Sequence, residues 1–374
     1  MNPISLRSAR PEAPGSRDPT VRSTLTGKAL ATVTPPASLG TFSLVDGTAS
    51  PETFLVGAQP WHPASGSDNS GNSAQPVTLY LLHYDPATRA ARLAPVPLPA
   101  LPGSISLPAL TGRGPTGTEM TSVAISPDGT RLAVVYQSVS KGTRIRTWIT
   151  VYVLDGQNEP RAWSAPGSVK MTFDGHSVMQ ATNIIGTPSW SADDATLAFP
   201  LIGQHGGVYL LNTAAAGTSS LLSASRLVVP LTGQQSNGDF VCYDGPRLLA
   251  NGADVLCGGY TIPAGWSIEA KGFPKGQVTQ GFGEFSVTTG RLVAILGQVR
   301  APISLAASPA NPYQQETNAG NFPFLLWASA DAQVTIGLTD GGHAVLVRDG
   351  RTRRLPWPLS IAIPYDSAAP GAAW

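Results

Sequence analysis

Charge is scarce in this chain: 13% of its 374 residues are charged, and 24 Lys and Arg stand against 23 Asp and Glu. A near-balance of this kind excludes a dedicated nucleic-acid surface, which needs a clustered basic excess. The one local basic cluster, Arg351, Arg353 and Arg354, follows the turn Asp349-Gly350 and reads as a solvated strand edge that discourages edge pairing. Long apolar runs are also missing. No stretch approaches the length of a membrane-spanning helix, and the first residues lack the apolar core of a signal peptide. The chain as written is therefore expected to be soluble and to carry no export signal. Nor does any segment sustain apolar residues at helical spacing over several turns, which removes long amphipathic helices from the account.

Chemistry-bearing motifs are equally sparse. None of the five histidines, His62, His83, His176, His205 and His343, has another two to four residues away, so no local metal motif exists. The G-x-S-x-G elbow of a serine hydrolase is absent, and so is any α/β segment that could carry one. Asp68, in a Gly/Ser-rich stretch, and the pair Asp193-Asp194 do not match a calcium-loop spacing. Asp128 and Asp193 are accounted for by turn chemistry, in which the carboxylate accepts a backbone N–H two residues on. Two cysteines, Cys242 and Cys257, cannot make a structural zinc site. Each sits in a short strand-like run on either side of a polar turn, so they are a disulfide candidate, with a pair of buried thiols as the alternative. No cofactor or metal is called for.

What the chain does have is turns, with 40 Gly and 34 Pro. Met120 to Gln137, MTSVAISPDGTRLAVVYQ, is a complete two-strand unit. Val123 and Ile125 alternate with small or polar neighbours, Ser126-Pro127-Asp128-Gly129 turns the chain, and Leu132 to Tyr136 restarts an apolar run. A variant returns at Thr187 to Pro200, with Ser191-Ala192-Asp193-Asp194 in the turn. Four-strand units then follow one another over 41–99, 120–166, 188–231, 240–297 and 324–358. A sixth is split: its last two strands come from 20–34 and its first from 372–374, with Pro3 to Ser8 a poor candidate for the missing second strand. Repeats of roughly 40 to 60 residues with four strands each are the signature of a β-propeller. The predicted fold is all-β, a propeller of six four-stranded blades with one blade shared between the termini. A five- or seven-bladed ring and a pair of β-sandwiches are the competing arrangements. Residues 1–18 are read as a loosely attached start and 19–374 as a single domain.

The hairpin SPDGTRLAV, its variant PSWSADDATLAF and the pieces TLTGKALATVTPP and LLHYDPATRAARL resemble WD-repeat and TolB-like propellers. They are similar in particular to actinobacterial extracytoplasmic propeller proteins of unassigned function that end in a short Ala-Ala-Trp strand. The resemblance covers about 19–374. It implies an extracytoplasmic setting and a Cys pair in the fourth full blade, where Cys242 and Cys257 stand. The start departs from the pattern, because no membrane segment precedes the repeats.

Propeller sites lie at the mouth of the ring, where connections from several blades meet. The segments 59–76, 167–186, 261–281 and 301–322 are the candidate binding loops. Foremost is Thr261 to Gly281, with Trp266, Lys271, Phe273 and Lys275; Trp61 lies in the first. Trp148, Trp163 and Trp190 fall in strand patterns and are expected between blades. The functional expectation is a non-catalytic monomer that binds a protein or peptide partner through loops on one face. The alternative is a small-ligand receptor, or a hydrolase- or lyase-type enzyme, with its site at the central channel.

Overall fold

The central hairpin is held by its own side chains. Ser126 Oγ donates to Asp128 Oδ1 at 2.6 Å and accepts from the N–H of Arg131, while the N–H of Thr130 donates to the same carboxylate. Gly129 sits at φ +75°, the left-handed conformation that the turn requires. The variant hairpin repeats each contact. Ser191 Oγ donates to Asp193, the N–H of Thr196 donates to Ser191 Oγ, and Asp194 takes the left-handed position at φ 58°. Asp is among the few non-glycine residues that tolerate this conformation.

The computed structural model describes residues 4–7, 20–23, 28–36, 41–50, 52–59, 77–98, 117–140, 143–154, 159–165, 169–173, 176–180, 183–203, 206–217, 220–230, 240–261, 277–302, 324–328, 334–338, 344–348, 351–354 and 372–373. They form 27 strands and one short helix. The first strands are β1 (Ile4–Arg7), β2 (Thr20–Ser23) and β3 (Ala29–Thr32). One sheet follows from β4 (Thr41–Gly47), β5 (Thr53–Gln59), β6 (Thr78–Asp85) and β7 (Ala90–Pro95), and the next from β8 (Gly117–Ile125), β9 (Arg131–Ser140), β10 (Thr143–Val153) and β11 (Arg161–Ser164). A separate hairpin comprises β12 (Val169–Phe173) and β13 (His176–Gln180). A five-stranded sheet joins β14 (Asn183–Ile185), β15 (Ser189–Trp190), β16 (Thr196–Gly203), β17 (Gly207–Asn212) and β18 (Ser225–Pro230), with α1 (Leu221–Ala224) before its last strand. Then come β19 (Phe240–Leu248), β20 (Asp254–Thr261), β21 (Gln277–Ser286) and β22 (Leu292–Pro302), followed by β23 (Phe324–Ala328), β24 (Val334–Leu338), β25 (Ala344–Arg348) and β26 (Arg351–Arg354). The last strand, β27 (Ala372–Ala373), pairs with β1 in a sheet ordered β27-β1-β2-β3, so both ends of the chain share one sheet. Ile4–Arg7 thus fills the second place in that sheet from within a segment expected to be loose.

All pairings are antiparallel between consecutive strands of each sheet, and the sheets form a propeller-like ring. The innermost strands touch in the order β4, β8, β15, β19, β23, β27 and back to β4. Apolar side chains fill the gaps between neighbouring sheets. Trp163 and Phe199, both fully buried, join Ile149, Leu197 and Trp190 between the third and fourth sheets along the chain. Met120, Leu132 and Tyr136 pack against Leu55 and Leu79. Trp163 Nε1 donates to Ala216 O and Trp190 Nε1 donates to Ala124 O, so each indole bridges two sheets with its ring and its N–H. Trp148 is half-buried against the Met120 cluster. All three tryptophans therefore lie where strand patterning puts them.

Two arginines act as latches that sequence reading does not reveal. Arg161, on outer strand β11, donates to Thr213 O at 2.8 Å, and Arg226, on outer strand β18, donates to Val287 O at 2.9 Å. Both acceptors lie just past the third strand of the next sheet along the ring. Cys242 on β19 and Cys257 on β20 are joined in a disulfide, with Cα atoms 5.7 Å apart and a sequence separation of 15. Both are buried among Val255, Phe285 and Val208. Closing a loop of this length stabilises by about 3 kcal/mol, chiefly by restricting the unfolded chain. The Cys242→Ala/Cys257→Ala double variant is therefore expected to unfold earlier in denaturant by about that amount, and an unchanged midpoint would show that the bridge does not constrain the chain.

Candidate functional site

Strand alternation sorts the connections between two ends of the ring. In each antiparallel sheet the first-to-second and third-to-fourth turns lie at one end, and the second-to-third and sheet-to-sheet connections lie at the other. The first end is compact. Its turns bond to one another: the N–H of Ala49 donates to Pro127 O, the N–H of Asp128 donates to Asp194 Oδ1, and Arg131 donates to Asp194 O. The four segments expected to bind a partner all leave from the opposite end. Residues 59–76 link β5 to β6, 167–186 link β11 to β15, 261–281 link β20 to β21, and 301–322 link β22 to β23. Residues 167–186 are not irregular throughout, because β12 and β13 form a paired hairpin there and β14 follows. Trp61, Trp266, Lys271, Phe273 and Lys275 lie outside the described residues. Arg351 and Arg353 are exposed on β26, the outermost strand of its sheet.

At the compact end the inner strands reach the axis in register. Thr48, Ser126, Ser191 and Leu249 each donate an N–H to the carbonyl five residues on, at Thr53, Arg131, Thr196 and Asp254, and so occupy one equivalent position in four sheets. Two residues earlier stand Asp46, Ala124, Ser189 and Arg247. Two strands with small side chains there, β8 and β15, lie between the two with charged ones, β4 and β19. Those two strands are three steps apart in the six-strand cycle, and Arg247 Nη2 lies 3.9 Å from Asp46 Oδ1. That is a charge contact across the axis, too long for a hydrogen bond.

Asp46 is held closely. Its Oδ2 accepts the N–H of Ile125 at 2.8 Å and its Oδ1 accepts the N–H of Gly47 at 2.9 Å. Its side chain is 12% exposed, and that of Arg247 is 25% exposed. Burial pushes the Asp46 carboxyl above its ordinary value, and the Arg247 charge and the two N–H donors reduce this shift without cancelling it. The surface turns behave in the opposite way. Burial raises Asp128, but hydrogen bonds from Ser126 and Thr130 outweigh it and hold the carboxyl low; Asp193 is held low first by Ser191 and then by the Ala195 N–H.

Asp46 and Arg247 were missed in the sequence, where Asp46 reads as the start of a polar turn. Aligning the four turns on their closing N–H groups is the signal that finds them, because a charge then stands where neighbouring strands carry Ala and Ser. Among the described residues no three His, Cys, Asp or Glu gather as metal ligands, and no helix is long and apolar enough to cross a membrane.

No family model matches the sequence, and no curated protein matches it. Several solved structures are similar. A periplasmic gluconolactonase of Pseudomonas aeruginosa is 17% identical over 94% of this chain and 81% of its own, with a TM-score of 0.43. A candidate 6-phosphogluconolactonase of Bacteroides fragilis is 11% identical over 95% and 94%, with a TM-score of 0.42, and a protein of Lactobacillus plantarum is 13% identical over 95% and 81%, with a TM-score of 0.44. At these values the likeness is one of fold, and no residue role or substrate passes across it. The two neighbours named for an activity are hydrolases. The expectation of a non-catalytic module that docks a protein or peptide, and with it the leaning away from an enzyme, is at odds with these names, which are those of lactonases, and is not carried further. In this chain a buried acid on β4 and a guanidinium on β19 come together.

Proposed function

We propose that the protein is a small-molecule enzyme of the hydrolase or lyase kind, with its site on the axis of a six-bladed ring. The observation that carries this reading is the cross-axis pair. A carboxyl raised by burial keeps its proton to higher pH than an ordinary Asp and so is better suited to exchanging it, and a guanidinium beside it can hold the negative charge that develops on a substrate oxygen. Asp46 would move the proton and Arg247 would hold the charge. The compact end is closed by bonded turns, so substrate would reach the pair from the end where the long connections leave. The WD-repeat and TolB-like character of the hairpins belongs to this reading. So does an extracytoplasmic setting, which the disulfide supports because such bonds persist in oxidising compartments.

The test is turnover of a panel of small lactones and esters, followed by proton release, and of glycosides, followed by release of reducing sugar. A substrate that is turned over should lose roughly 100-fold or more of its kcat in the Asp46→Asn variant, the usual contribution of a positioned acid or base. A folded Asp46→Asn variant that turns the substrate over at the original rate would overturn the assignment.

A further inference from the structure

β19 differs from the other inner strands immediately before Arg247. Its pairing with β20 shifts twice, between Cys242 and Asp244 and again between Asp244 and Arg247, which leaves Gly245 and Pro246 outside the regular ladder. β4 and β8 each shift once, and further from the turn, between Phe42 and Leu44 and between Met120 and Ser122. A bulge bends its strand and re-aims the side chain that follows. Pro246 has no N–H to return to the ladder. Its carbonyl instead accepts a hydrogen bond from Ser189 Oγ on the neighbouring strand β15, and Ser189 is 1% exposed. Ser189 occupies the same axial register as Asp46 and Arg247, so one buried hydroxyl ties the bulge to the layer in which the charged pair meets. Arg247, the charged side chain acting on Asp46, directly follows Pro246 and the bulge.

We propose that Ser189 is a positioning residue which, by holding the Gly245-Pro246 bulge, sets the reach of Arg247 to Asp46 across the axis. This rests on the axial reading of the site, in which burial raises the proton affinity of the carboxyl and the nearby Arg247 charge lowers it. Ser189 touches neither partner's charged atoms and acts through the backbone of β19.

The experiment is a carboxyl-carbon NMR titration of Asp46, with no substrate, in the unaltered protein and in the Ser189→Ala, Ser189→Thr and Arg247→Met variants, each checked for folding by its thermal transition. Arg247→Met should raise the Asp46 midpoint by roughly 1 pH unit or more, the effect of losing an opposite charge at this range. Ser189→Ala should move it in the same direction by a fraction of that shift, and Ser189→Thr, which keeps the hydroxyl, should restore it. An Asp46 midpoint unchanged in a folded Ser189→Ala variant, while Arg247→Met moves it, would overturn the positioning role and leave the axial pair standing. No movement in Arg247→Met would instead remove the charge contact on which the functional reading itself depends.

Discussion

Replacing Arg247 by Met is expected to destabilise the protein by about 3 kcal/mol at neutral pH, because removing one partner leaves the other charge buried without compensation. The partial exposure of Arg247 puts the figure at the low end of the range for buried pairs. The loss should depend on pH with a definite sign. The folded-state value of Asp46 is already raised by burial, and without Arg247 it rises further. The unfolded chain then gives up its proton first as pH increases. The variant therefore loses stability relative to the original protein only as pH rises past the raised folded-state value of Asp46 in the original protein, where that carboxyl ionises while the variant's stays protonated, and the difference is small below it. Denaturation midpoints of the variant and the original protein should converge towards pH 3 and separate towards pH 7. Adding Asp46→Asn to Arg247→Met should recover part of the loss, since no charge remains to be stranded but the amide nitrogen cannot accept the N–H that one carboxylate oxygen took. A constant difference across this range would mean that the pair is not electrostatically coupled.

The second large effect lies away from the axis. Trp163 is fully buried between two sheets, and its indole N–H donates to Ala216 O at 3.1 Å. Trp163→Ala should cost about 3–5 kcal/mol through the cavity it opens against Phe199 and Ile149. Losing the indole donor to Ala216 O adds about 1 kcal/mol, the net worth of one hydrogen bond. Trp163→Phe keeps most of the ring volume and loses only the donor, so it should fall well short of that loss. Urea unfolding of both variants measures the difference, and equal losses would place the energy in the hydrogen bond rather than in packing.

Much of this architecture is legible in the sequence because propeller strands are short and bounded by turns with strong local chemistry. Ser126-Pro127-Asp128-Gly129 specifies its own hydrogen bonds, and Ser191 with Asp193 repeats them using different neighbours. Trp163 and Trp190 are found by strand alternation, since a large apolar residue in a two-residue period has to face a neighbouring sheet. The sharing of one sheet by both termini follows from counting strands. Other features depend on partners distant in sequence. Ile4–Arg7 carries a weak strand pattern and is recruited by pairing with both β2 and β27. The β12–β13 hairpin lies in a stretch that reads as a loop because Asp174-Gly175 splits it into two short runs.

The axial pair is the clearest case of what local reading leaves hidden. Asp46 and Arg247 are about two hundred residues apart, each in an unremarked context, and they meet only because ring closure sets β4 opposite β19. Attention to aromatic-bearing segments pointed to the end of the ring where the long connections leave. The charge pair among the described residues lies near the other end, where one register position carries Asp46 and Arg247 on either side of Ala124 and Ser189.

The most direct test of the axial account is a crystal structure of the Asp46→Asn variant soaked with a substrate identified by turnover. The account predicts the substrate on the axis, with an oxygen within hydrogen-bonding distance of the Arg247 guanidinium and the altered side chain at position 46 facing the reacting bond. Substrate bound between outer strands or among the long connections, with the axis unchanged, would contradict it.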